Sequence, residues 1–219
     1  MPFAPIHDAL LDALNGRQLL AHPFYQRWEA GTLGEGELGS YAEQYRVIER
    51  ELPVTLSSIV EKLPSGPARR LVEANLADEL EHPAPHIELF ESFARAAGAT
   101  TDEPVSPATA ALVSALRRAA STDPVAALAM VAAYEVQAAD IAASKADGLR
   151  RHYGFDAEGT RFWDVHVTQE ADHAGWSMEA LEALGADPDD VRVAAKVAAD
   201  AWWDFLSERE ELAPVGACA

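Results

Sequence analysis

Cysteine is nearly missing from the 219 residues: Cys218 is the only one. A lone thiol cannot close an internal disulfide, and its place one residue from the end of the chain suits it poorly to nucleophilic work. Basic residues are scarce as well, 17 Lys and Arg against 36 Asp and Glu, for a formal charge of −19. Phosphate backbones and anionic lipid surfaces need clustered Lys or Arg to neutralise them, so no nucleic-acid or membrane partner is expected. Metal ions and small cationic ligands stay compatible with this balance. The opening Met-Pro-Phe-Ala-Pro-Ile-His-Asp lacks the basic and apolar regions of a secretion signal. No window reads as the long uncharged apolar run of a membrane helix, and a cytoplasmic protein is expected. Sustained period-two alternation is also missing, which removes half-buried strands.

What remains is apolar residues recurring at three and four almost everywhere, the pattern of helices with one buried face. Helices are expected over about 5–20, 35–61, 66–97, 106–120, 123–152, 158–184 and 188–210. These form an all-α, seven-helix bundle in a single domain over 1–219. Pro64-Ser-Gly-Pro67, Gly98 through Pro107, Thr122-Asp-Pro124, Gly154 and Gly185-Ala-Asp-Pro188 supply the stops, caps and restarts. The alanine-rich stretch Ala126 to Ala143 is the expected central helix, because small side chains let neighbouring helices approach closely. It carries Glu135 among Ala132, Ala133, Val136 and Ala138. A carboxylate buried there must be protonated, paired or bound to metal.

The chemistry concentrates in His166-Val-Thr-Gln-Glu170-Ala-Asp-His173. At 3.6 residues per turn, His166, Glu170 and His173 fall on one helix face over two turns. Imidazole nitrogens beside an anionic oxygen suit a first-row transition metal. Glu79 and His86 add a carboxylate and an imidazole on another segment, and Glu135 a third carboxylate. Pro83 and Pro85 lie between Glu79 and His86, so that helix is expected to kink or unwind there. Two ligand sets follow. Glu79-Leu-Glu-His82 and Glu170-Ala-Asp-His173 are both Glu-x-x-His, the ligand pair of ferritin-like bundles; that reading takes His82 and a further Glu from the 35–61 helix, for instance Glu43. The other reading takes His86 and His166.

The order Glu-x6-His, a lone Glu, then His-x3-Glu-x2-His resembles the heme-oxygenase-like di-metal oxidases, relatives of the thiaminase II and pyrroloquinoline-quinone synthase folds. The likeness covers roughly residues 18–182 and selects the second set: Glu79, His86, Glu135, His166, Glu170 and His173. Leu20-Ala-His-Pro-Phe-Tyr25-Gln-Arg-Trp28, with Tyr41, Tyr45 and Gly98, is similar to the para-aminobenzoate synthases within that family. The resemblance implies a pair of metal ions, iron with iron or iron with manganese, dioxygen as co-substrate and an electron donor as partner. It also implies that a tyrosine of the enzyme supplies the aromatic ring and a lysine the amino nitrogen. By position these are Tyr25 and Lys145, with Tyr41 beside them as a catalytic candidate. Glu170 stands where the similar proteins carry Asp, a ligand longer by one methylene. A homodimer is expected, since dimers are common in this fold.

If Tyr25 is not the target, the substrate is a small acid or amino acid held between helices. A thiaminase-like hydrolase would need an internal nucleophilic cysteine, which the chain lacks. A cofactor-free quinone-forming enzyme would need a basic pocket. A plain interaction module would leave six ligand-type residues unexplained. Lys145 lies ten residues past Glu135, about 15 Å along a helix axis, so its closeness to a metal site depends on bundle geometry. The proline-broken Glu79 segment is expected to order when metal ties it to the rest of the site.

Overall fold

A computed structural model describes residues 4–100 and 104–212. Cys218 lies outside the described residues. Among those residues there are nine α-helices and no strands. The helices are α1 (Ala4–Ala13), α2 (Pro23–Ala30), α3 (Glu37–Lys62), α4 (Pro67–Glu81), α5 (His86–Ala96), α6 (Pro107–Thr122), α7 (Pro124–His152), α8 (Ala157–Ala183) and α9 (Pro188–Glu211), with a short 3-10 turn at Leu19–Ala21.

The expectation of seven helices is corrected at two places, both with a local cause. The first helix does not run to 20: Gly16 takes φ 72°, and α1 has ended at Ala13. The chain then starts a new helix at Pro23, with His22 as its cap. The second correction is the 66–97 segment, which separates completely into α4 and α5. Neither Pro83 nor Pro85 can donate a helical hydrogen bond, and the residues before them are pushed towards extended backbone, as His82 is at φ −126°, ψ 127°. α3 by contrast passes through Pro53 unbroken.

Three helix starts follow one recipe. Asp123, Asp156 and Asp187 each accept hydrogen bonds from backbone N–H groups of the first turn, with Pro124 and Pro188 at the first helical position in two of them. α7 is the central helix, packing most extensively against α8 and α9. By length and hydropathy it is apolar enough to cross a membrane, contrary to the expectation that no window is, yet 61% of that window is buried by the other helices. Its alanines let the partners come close; Ala127, Ala129, Ala132, Ala133, Ala142 and Ala146 are all buried. Gly148 serves the same end, since a Cβ there would sit 2.9 Å from Trp28 Cδ1 and 3.1 Å from the Trp28 carbonyl oxygen. That contact lays α2 against α7.

Candidate active site

The break between α4 and α5 shapes the first half of the site. Glu79 occupies the last turn of α4 and His86 the first position of α5. His86 Nε2 donates to the His82 carbonyl oxygen at 3.1 Å, which leaves Nδ1 facing Glu79 Oε2 at 2.9 Å. His82 itself is exposed, and only its backbone takes part. From α8, His166 Nδ1 donates to the Phe162 carbonyl oxygen at 2.8 Å and turns Nε2 towards Glu170 Oε1, 3.8 Å away. His173 Nε2 meets Asp78 Oδ2 at 3.4 Å, and its Nδ1 faces Glu79 Oε1 at 3.7 Å and Glu170 Oε2 at 3.9 Å.

Each of the three histidines therefore has one nitrogen tied by an outer acceptor and the other turned inward to carboxylates. That is how metal-binding imidazoles are held, with the outer bond setting the tautomer. Glu79 and Glu170 each face two histidines. Glu135, from α7, is held by Asn75, whose Nδ2 donates to Oε1 at 2.7 Å. Buried atoms of this cluster find no hydrogen-bond partner among the described residues: Glu79 Oε2, His86 Nδ1, Glu135 Oε2 and Glu170 Oε2. Glu79 Oε2 and His86 Nδ1 are close but poorly aligned. Orphaned ligand atoms brought together from four helices, α4, α5, α7 and α8, fit a metal pair.

Burial governs the charge states. It pushes the Glu170 carboxyl well up, helped by the nearby charges of Glu135, Glu79 and Glu49, and raises Glu135 too. Burial and the charge of His86 drive His166 down to about 3. At His86 burial works in the same direction, but contact with Glu79 and the charge of Glu79 and Glu49 outweigh it and hold the imidazole at about 9. Glu79 falls below the carboxylate range, because its three histidine neighbours overcome the cost of burial.

Sequence reasoning missed Glu49 of α3. It is buried, and burial together with the charge of Glu79 lifts its carboxyl to about 8. α3 buries three carboxylates, Glu37, Glu49 and Glu51; Glu37 pairs with Arg27 and Glu51 with Arg117, which leaves Glu49, beside Tyr45 and Ile48, as the one without an arginine. Glu43 is elsewhere, accepting from Thr100 N and Oγ1 at 2.7 and 2.9 Å.

The second half of the site is an aromatic box around Lys145. The amine donates to the Tyr41 hydroxyl at 2.6 Å, and Tyr41 shares a 2.8 Å hydrogen bond with the Tyr25 hydroxyl. Lys145 Nζ lies 4.6 Å from the Tyr25 ring centre, 4.1 Å from that of Trp163 and 4.9 Å from that of Tyr45. His22 positions Tyr25 by capping α2: its Nδ1 accepts from Phe24 N at 3.1 Å, while Nε2 reaches Ser207 Oγ. Trp28 fastens α2 to α7 by donating to the Lys145 carbonyl oxygen at 3.3 Å. With the amine enclosed, burial lowers the Lys145 pKa well below the ordinary lysine range. Burial raises Tyr25 and Tyr41.

Tyr45 and Trp163 connect the halves. Tyr45 contacts the lysine and also lines a cavity of about 50 Å³ with Glu49, Tyr134, Glu135, His166 and His173. Trp163 packs edge-on against Phe162, whose ring lies 4.1 Å from that of His166.

Comparison with known proteins bears on this arrangement. Residues 40–203 match the model of a family described as iron-containing redox enzymes. The chain is 31% identical over 206 residues to a 4-aminobenzoate synthase of Chlamydia pneumoniae, covering 90% of this chain and 92% of the relative. It is 35% identical over 211 residues to a 4-aminobenzoate synthase of Nitrosomonas europaea, covering 88% and 86%. Among solved structures, a TenA homologue from Pseudomonas syringae superposes with a TM-score of 0.78 at 17% identity, over 94% of this chain and 92% of that one. A CADD-like protein of unknown function from Nostoc punctiforme gives a TM-score of 0.77 at 16% identity, over 97% and 99%. At that identity the two structures speak to the fold alone.

Proposed function

This chain belongs to the iron-containing redox enzyme family, on a heme-oxygenase-like fold, and is an oxidoreductase; from that premise we propose that it is a self-sacrificing 4-aminobenzoate synthase. In this reading Tyr25 supplies the aromatic ring and Lys145 the amino nitrogen. The centre is a pair of non-heme ions, iron with iron or iron with manganese, held by Glu79, His86, Glu135, His166, Glu170 and His173. Once bound, such a pair supplies activation of dioxygen, an oxidising power that amino-acid side chains lack.

The observation that carries the proposal is the enclosure of Lys145 beside Tyr25, with its amine 4.6 Å from the tyrosine ring centre. A lysine nitrogen attacks or is transferred only with a free lone pair, and burial shifts this amine towards its neutral form. The chain Tyr25–Tyr41–Lys145 links the Tyr25 hydroxyl to the amine, and once the amine's lone pair accepts from Tyr41 in place of donating to it, a proton leaving Tyr25 has a path to the nitrogen. Tyr41 holds both groups at hydrogen-bond distance, and the surrounding rings exclude water from them. The cavity beside the ligand cluster, about 50 Å³, has room for a few water-sized molecules, dioxygen among them.

The proposal is tested by growing the protein in iron- and manganese-supplemented medium and measuring bound metal beside His173→Ala and Glu135→Ala. Close to two ions per chain, diminished in both variants, is expected, with 4-aminobenzoate formed by the wild type and none by Tyr25→Phe. No metal in any preparation would overturn it.

A further inference from the structure

Glu49 is the buried carboxylate that the six-residue set leaves without a task. It comes from α3, a helix that contributes none of the other ligands, and it is only 5% exposed. Its Oε1 finds no hydrogen-bond partner among the described residues. No lysine, arginine or histidine within those residues forms an ion pair with it. A carboxyl in that condition ionises only at a cost of several kcal/mol unless something cationic arrives to meet it, and stays protonated otherwise. One ligand atom each from Glu49, His86 and His166 lie within 4.8 Å of one another, close enough to share a single ion.

We propose that Glu49 is a seventh metal ligand, completing the coordination of the ion gathered between His86 and His166. The inference rests on the reading of the site as a di-metal centre and adds to it an asymmetry. Charge supports it as well as distance. Glu79, Glu135 and Glu170 ionised leave two divalent ions with a net positive charge in a buried place, whereas Glu49 makes a fourth carboxylate and brings the sum to neutrality. The ion at His86 and His166 thereby gains an oxygen donor that its partner at His173 lacks. Oxygen-rich sites suit manganese better than sites dominated by imidazole, so the two positions differ in the ion they prefer.

The test uses cobalt(II) as the probe, because its visible spectrum reports coordination number directly. Wild type, Glu49→Gln and Glu49→Asp are stripped with chelator, titrated with cobalt(II), and challenged with a competing chelator. Expected for Glu49→Gln is one ion retained as in wild type, the other weakened at least about tenfold, the range found even for residues that only support a ligand, and a changed visible spectrum. The metal-free Glu49→Gln protein should also melt higher than metal-free wild type near neutral pH, since the buried carboxyl, which takes up a proton on folding, has been replaced by a neutral amide; a merely structural role would lower it. Two ions bound with wild-type affinity and spectrum in Glu49→Gln would overturn the proposal. If that variant does not fold, an Asp variant with a spectrum identical to wild type would overturn it equally, since a shortened ligand must shift the metal's surroundings. Failure of the wild type to bind metal at all would instead defeat the di-metal reading itself.

Discussion

Lys145 Nζ sits 2.6 Å from the Tyr41 hydroxyl, inside a ring of aromatic side chains and with no carboxylate in hydrogen-bond contact. Burial holds its pKa well below the ordinary 10.5. The folded chain releases this lysine's proton at a lower pH than the unfolded chain, which holds it up to about 10.5, so the group costs stability below 10.5. The penalty is full below the lowered folded pKa, shrinks as pH rises, and vanishes near 10.5. Lys145→Met is therefore expected to melt higher than wild type around neutrality, by about 2–4 °C for each kcal/mol relieved, with the gap closing as the pH approaches 10.5. Thermal unfolding of metal-free protein across that range checks it. A variant less stable than wild type by the same amount at every pH would contradict it.

Metal binding is expected to expel protons. In the metal-free protein burial keeps the Glu135 and Glu170 carboxyls raised, the Glu49 carboxyl stands at about 8 and the His86 imidazolium at about 9. Ligands must give up those protons before they coordinate, so affinity falls as pH falls through these values. Calorimetric titration with manganese(II) in buffers of different ionisation enthalpy measures the release. A binding constant unchanged between about pH 8 and 6 would contradict the charge states described.

The turn between α4 and α5 depends on the ligands on either side of it. His82 to Pro85 make few helical hydrogen bonds, and the segment is anchored through His86 Nε2 and Gln169 Nε2, both reaching the His82 carbonyl oxygen. Metal joining Glu79 to His86 is expected to slow amide exchange across residues 76–92. Exchange that is equal with and without metal would show that the turn is already as ordered as it becomes.

Gly148→Ala probes the packing of α2. The added methyl would meet Trp28 Cδ1 at 2.9 Å and its carbonyl oxygen at 3.1 Å, a contact with little room to yield. Overpacking of this kind costs about 1–3 kcal/mol. Because Trp28 and Tyr25 share α2, product formation should fall by more than the stability loss explains, which comparing activity well below the melting temperature would reveal.

Much of the site was readable because its ligands obey helix periodicity: His166, Glu170 and His173 share a face of α8 by spacing alone. The choice of His86 over His82 was not readable from spacing, since Pro83 and Pro85 abolish the periodicity that would decide it; the structure turns one inward and leaves the other exposed. Glu49 was hidden for a different reason. It has no motif partner nearby in sequence, and its meaning appears only when α3 packs across α4 and α8. Lys145 lies ten residues past Glu135 along α7, so spacing alone left its closeness to the site to the bundle geometry. What brings it into play is α2, a helix that the sequence reading had not expected, carrying Tyr25 and Trp28 against it.

Tyr25 and Lys145 are the proposed sources of the product's ring and amino nitrogen. Protein made with ring-labelled tyrosine and side-chain nitrogen-labelled lysine, loaded with iron and manganese and exposed to dioxygen and a reductant, is expected to release 4-aminobenzoate carrying both labels. The same protein should show matching mass losses confined to residues 25 and 145. Unlabelled product, or product formed repeatedly by chains whose Tyr25 and Lys145 remain intact, would contradict the account.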